Sequence, residues 1–208
     1  MKIEGQHTFA ASRQAVWDAL MDPTIIASIM PGCDGLETVG ENAYEGGMKI
    51  KVGPVQGVFK GTVELSDLDA PKSYRLHMTG KGAPGFVDGD GVLRLDESGD
   101  GTVLGYEIEA KIGGRIASVG QRLLDSSARV IARQSLEGLE ARLQAKEEAA
   151  ASGEPAPEML PPSQAELAAG FAKGLLSELI PPERRPLVFG IAAVVLLGVA
   201  FLIRGCGA

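Results

Sequence analysis

Between residues 48 and 112 the apolar side chains recur at every second position, and no other feature of the chain restricts its fold as tightly. Met48, Ile50 and Val52 alternate with Lys49 and Lys51, while Phe59, Gly61, Val63 and Leu65 alternate with Lys60, Thr62 and Glu64. Tyr74, Leu76 and Met78 then alternate with Arg75, His77 and Thr79. Gly91, Leu93 and Leu95 continue the pattern, followed by Leu104, Tyr106, Ile108, Ala110 and Ile112. A period of two puts one face of each strand on a core and the other in water. Turn signals at Gly40–Asn42, Gly53–Pro54, Ala70–Pro71, Gly82–Gly85 and Ser98–Gly101 separate the runs, and connections this short make neighbouring strands antiparallel.

A sheet with one apolar face needs a cover. Before the meander, Lys2 to Phe9 reads as a strand with Ile3, Gly5, His7 and Phe9 on one face. Ser12 caps a helix carrying Val16, Trp17 and Leu20, and a second short helix follows Asp22–Pro23 with Ile25, Ile26, Ile29 and Met30. After the meander, a long helix is expected from about Arg115 to Ala145. Its apolar side holds Ile116, Val119, Leu123, Leu124, Val130, Ile131, Leu139 and Leu143, and its exposed side Arg122, Asp125, Arg129, Arg133, Glu137 and Glu140. The order is strand, two short helices, six strands and a long helix. It is similar to the α+β helix-grip, START-like architecture, in which a curved antiparallel sheet wraps the last helix; members often hold an apolar cavity between the two. This domain is expected over residues 1–145.

Three segments narrow the resemblance. Met30-Pro31-Gly32-Cys33, the run Lys51-Val52-Gly53-Pro54-Val55 with Gly57, Phe59 and Gly61 after it, and Ile116-Ala117-Ser118-Val119-Gly120 together resemble the CoxG family of carbon monoxide dehydrogenase subunits, within the START-like (SRPBCC) superfamily. The resemblance implies a non-catalytic accessory protein of a molybdenum-containing or other membrane-associated oxidoreductase.

Beyond the domain, KEEAAASGEPAPEMLPP at 146–162 has no apolar period and is expected to be a flexible spacer. Ser163 with Glu166 opens an amphipathic helix over 163–180, with Leu167, Phe171, Leu175 and Leu179 on one side, and Pro181–Pro182 closes it. Pro186 to Ile203 then runs 18 residues without a charge. As a helix this segment is about 27 Å long, close to the thickness of a bilayer's hydrocarbon core. With the polar start MKIEGQHTF, the expectation is a single-pass C-terminal anchor in the cell membrane that leaves the main domain in the cytoplasm.

Net charge −7 and the absence of a basic stretch argue against a nucleic-acid partner. Cys33 and Cys206, the two cysteines, build neither a disulfide framework nor a thiolate metal site. Cys33 reads as structural. Gly80 to Gly85 spells G-x-G-x-x-G, yet Phe86 to Gly91 continues as extended chain rather than opening a helix, so no dinucleotide fold is expected. Asp88 and Asp90 lack the remaining EF-hand positions and read as part of a turn or bulge. His7 and His77 accompany no nucleophile motif. No enzyme, metal site or covalent cofactor is expected.

Shape carries the functional reading. Glycines at 57, 61, 80, 82, 85, 89 and 91 let strands curve and withhold volume from the inner face, and methionines supply adaptable apolar lining. The alternation places Ile25, Ile29, Met30, Met48, Ile50, Phe59, Val63, Leu76, Met78, Phe86, Leu93, Tyr106, Ile108, Leu123, Leu124 and Ile131 around an internal ligand space. A tethered domain of this kind is expected to bind a lipophilic molecule, an isoprenoid quinone first, and carry it between the bilayer and a carbon monoxide dehydrogenase-type enzyme. In that scheme the short helix ending at Met30 is a movable portal, and Met48→Trp or Gly61→Leu would fill the space. The alternatives are a recruitment subunit that merely holds the enzyme at the membrane, and an assembly factor for a molybdenum enzyme.

Overall fold

The computed structural model describes residues 1–152. Strand β1 (Lys2–Phe9) leads to helices α1 (Arg13–Met21) and α2 (Pro23–Ile29). Six strands follow: β2 (Cys33–Gly40), β3 (Ala43–Val52), β4 (Val55–Asp69), β5 (Ser73–Gly82), β6 (Gly85–Ser98) and β7 (Gly101–Gly113). A 3-10 turn at Arg115–Val119 and helix α3 (Gln121–Ser152) close the order. The seven strands form one sheet, β1-β7-β6-β5-β4-β3-β2, antiparallel throughout. Helix α3 approaches both β1 and β3, which lie toward opposite edges of the sheet. A sheet that meets one helix from both sides must curl around it.

Local chemistry sets the element ends. Ser12 Oγ accepts the Ala15 N–H at 3.3 Å and starts α1. Asp22 Oδ1 accepts the N–H of Thr24 at 2.8 Å and of Ile25 at 3.3 Å, with Pro23 in the first turn, and starts α2. The expected single helix from Arg115 is divided. Gly114 and Gly120 sit at φ +86° and +91°, where the helix cannot run through, so Arg115–Val119 is a 3-10 turn and α3 begins at Gln121. At its other end α3 continues through Ser152, so residues 146–152 are helix rather than spacer; Lys146-Glu147-Glu148-Ala149-Ala150-Ala151 are strong helix formers. The rest of the expected spacer, the amphipathic helix over 163–180 and the apolar run 186–203 lie outside the described residues. Among the described residues no helix is long and apolar enough to cross a membrane.

Two apolar cores form on the inner face of the sheet. The first joins Phe9, Val16, Trp17, Leu20, Ile29, Tyr74, Leu95, Leu104, Leu139 and Leu143, and so ties α1, α2 and the C-terminal half of α3 to one end of the sheet. Trp17 meets Tyr74 edge to face at 5.7 Å, and burial pushes the Tyr74 phenol well up from its ordinary value. Buried Thr102 donates to the Ala11 carbonyl at 2.8 Å and pins the chain between β1 and α1. The second core joins Val52, Phe59, Ile116 and Leu124 at the other end, with Ile50, Val55, Val87, Ile112, Val119 and Leu123 packed against it.

Candidate functional site

What lies between the two cores is the candidate site. Across the sheet, Tyr44, Val63, Met78, Gly89 and Ala110 occupy one row, and Leu65, Leu76, Gly91, Ile108 and Ile3 the next. In the row on the opposite side Gly46, Gly61 and Gly80 stand side by side on three adjacent strands, so that stretch of floor has no side chains. Among the described residues, neither core includes Met48, Val63, Met78, Ile108 or Ile131, and each of these is half-buried. These residues form an apolar strip on the inner face that solvent still reaches, set apart from the two packed cores, and this strip is the candidate groove.

Its helical side is polar where a core helix would be apolar. Leu124 belongs to the second core and Leu139 to the first; between them α3 carries Ser127, Ile131 and Gln134. Ser127 is only 3% exposed, and its hydroxyl has no hydrogen-bond partner. The buried side-chain oxygen of Gln134 has none either. A buried hydroxyl left unpaired costs about 1–3 kcal/mol, which sets these two atoms apart from ordinary packing.

The sixteen expected lining residues separate into distinct places. Met48, Val63, Met78, Ile108 and Ile131 are half-buried and belong to neither core. Ile29 belongs to the first core, with Ile25, Leu76, Leu93 and Tyr106 against it. Phe59 and Leu124 belong to the second, with Ile50 and Leu123 against it. Met30 caps the end of α2, half-buried and outside both. Phe86 is misplaced by the expectation. It pairs with Lys81 and shares its strand face with Asp88 and Asp90, so it lies on the outer side, 45% exposed, with its ring over Gly113. Val87, Gly89, Gly91 and Leu93 take the inward positions, in step with the alternation already read at Gly91, Leu93 and Leu95, and Phe86 falls one position out of that phase. Ser127 and Gln134 were missed, although a polar residue three positions after Leu124 and four before Ile131 falls on the buried stripe of the helix.

Glycine geometry corrects a second expectation. A β-carbon on Gly61 would collide with the Thr79 carbonyl oxygen, so a side chain there would break the β4–β5 pairing instead of filling the groove. A β-carbon on Gly80 would have the Phe59 ring at 3.9 Å as its nearest neighbour, and this is the position that admits a filling side chain.

On the outer face, His77, Asp88 and Asp90 bring possible ligand atoms within 4.8 Å of one another. His77 Nδ1 is already 2.9 Å from Asp90 Oδ1, and both side chains are well exposed. The two aspartates stand in an uninterrupted ladder, not in a turn or bulge. Cys33 is half-buried, with its sulfur 3.5 Å from the Gly35 carbonyl. A dent beside Phe9, Ala11 and Leu143 is too small to admit water.

Comparison with known proteins agrees with this fold. The CoxG family of carbon monoxide dehydrogenase subunits matches residues 5–144. A conserved protein of Geobacillus kaustophilus is 30% identical, with TM-score 0.67, over 69% of this chain and 95% of its own. A START superfamily protein of Mycobacterium smegmatis is 12% identical with TM-score 0.54, covering 69% of this chain and 97% of its own. The Zhui aromatase/cyclase of Streptomyces sp. R1128 is 15% identical with TM-score 0.55, covering 72% and 97%. These two share the fold, a helix grip. No curated protein sequence matches the chain.

Proposed function

Because the chain belongs to the CoxG family of carbon monoxide dehydrogenase subunits, we propose that it is a ligand-binding accessory protein that carries a lipophilic molecule, an isoprenoid quinone, between a bilayer and a carbon monoxide dehydrogenase-type oxidoreductase. The observation that carries this proposal is an apolar strip left out of both cores, together with two unpaired buried polar atoms on the stretch of α3 between those cores. Few convergent polar groups in an apolar setting is the usual make-up of a small-molecule site. A prenyl tail buries apolar surface at about 25 cal/mol per Å², so it crosses water only under cover. The apolar run 186–203 would hold the domain at the membrane, raising its effective concentration there while leaving it free to visit the enzyme. Entry past α2 would require Ile29 to part from Gly138 and Ser28 from Arg142, which donates to it at 3.2 Å.

The test is mass spectrometry of organic extracts of the full-length protein purified from native membranes, against a membrane blank. The expected result is a quinone retained in stoichiometric amount. An empty protein that takes up no added quinone would overturn the carrier and leave the recruitment role.

A further inference from the structure

We propose that Ser127 and Gln134 form a head-group clamp that holds the oxidised and the reduced form of a quinone about equally well, an inference that rests on the carrier role above. Ser127 has a simple way to satisfy itself and does not use it. Its neighbour Ser126 donates to the Leu123 carbonyl at 3.1 Å, the usual escape for a serine inside a helix. Ser127, more deeply buried, keeps its hydroxyl unpaired, as Gln134 keeps its side-chain oxygen. Seven positions apart on α3, the two stand two turns apart along one face, about 10 Å along the axis. A ring with oxygens on opposite edges spans that interval with one hydrogen bond at each end. Ile131, between them on the helix, and the half-buried inner-face residues Met48, Val63 and Met78 of the sheet would suit the ring faces and the start of a prenyl tail.

The chemistry of the pair selects the ligand class. A hydroxyl and a primary amide each donate and accept. Quinone carbonyls take hydrogen bonds from the Ser127 hydroxyl and the Gln134 amide nitrogen; quinol hydroxyls give them to the Ser127 and Gln134 oxygens. The ligand becomes quinol by gaining two electrons and two protons at the partner oxidoreductase, not in the clamp. A lysine or a carboxylate at either position would favour one form and hinder release of the other.

The test uses the full-length chain in detergent and a benzoquinone with a ten-carbon alkyl tail, titrated as quinone and, anaerobically, as quinol. Wild-type Kd values for the two forms are expected within about threefold, equivalent to about 14 mV for a two-electron couple. Ser127→Ala and Gln134→Met should each weaken both forms roughly tenfold, with the Tm of the empty protein at or above that of the wild type, because an unpaired polar atom has been removed. Variants that keep wild-type Kd, or that lose affinity in step with a fall in Tm, would overturn the clamp while the carrier stands. A wild-type preference of tenfold or more for one form would overturn the proposed indifference to oxidation state. Failure of the wild-type protein to bind either form would overturn the carrier, and the clamp with it.

Discussion

Gly61 and Gly80 are cross-strand neighbours with opposite requirements. At Gly61 the β5 backbone occupies the place of a β-carbon, so Gly61→Ala is expected to destabilise the fold by about 3 kcal/mol, read by urea unfolding. At Gly80 a β-carbon meets only ordinary contact with the Phe59 side chain, so Gly80→Leu should leave the unfolding midpoint near that of the wild type and abolish uptake of the tailed quinone, read by equilibrium titration. Alternation in the sequence identified both as inner-face positions, but it is blind to how closely one backbone approaches the next. At Phe86 the alternation itself was sound: carried back from Gly91, Leu93 and Leu95 it puts residue 86 on the outer face, where a single register step separates it from the core side. Ser127 and Gln134 stayed hidden because hydrophobic periodicity counts apolar residues, and a polar one in the buried stripe registers only as a gap.

At the level of elements, the short helices and the strands other than β2 were legible because one face of each is wetter than the other; β2, exposed over its last four residues, has no such alternation. The interruption of the last helix was not legible, since it turns on one backbone dihedral. Gly120 has φ +91° and ψ 147°, near a region that essentially only glycine adopts, and no neighbouring atom within 4 Å of an added β-carbon, so the effect of Gly120→Ala is conformational, about 1–3 kcal/mol of lost stability in thermal or chemical unfolding. Helix α2 carries a pH dependence. The hydrogen bond from the Thr24 side chain, joined by the Thr24 and Ile25 N–H groups, holds the Asp22 carboxyl below its ordinary value of 3.8. Its contribution is therefore present above that value and is lost as the pH falls through the lower folded-state pKa. Asp22→Ala should cost about 1 kcal/mol at neutral pH. Melts of Asp22→Asn beside the wild type should show the wild type losing its extra stability only in strong acid.

For the whole molecule, both cores and the groove fall within residues 1–152. A chain ending at Ser152 is therefore expected to fold, to bind the tailed quinone with wild-type Kd, and to leave the membrane fraction on centrifugation. Loss of binding in that truncation would show that later residues complete the site. The separation of the two cores also bears on how the family changes over time. Stability resides at the ends of the sheet, in side chains such as Phe9, Leu104 and Leu139 at one end and Val52 and Phe59 at the other. In the proposed carrier the cargo would meet Met48, Val63, Met78 and Ile131, which neither core includes. Drift at those four positions would therefore face weak purifying selection for folding, so a lineage could acquire a different cargo in single mutational steps without first passing through an unstable ancestor.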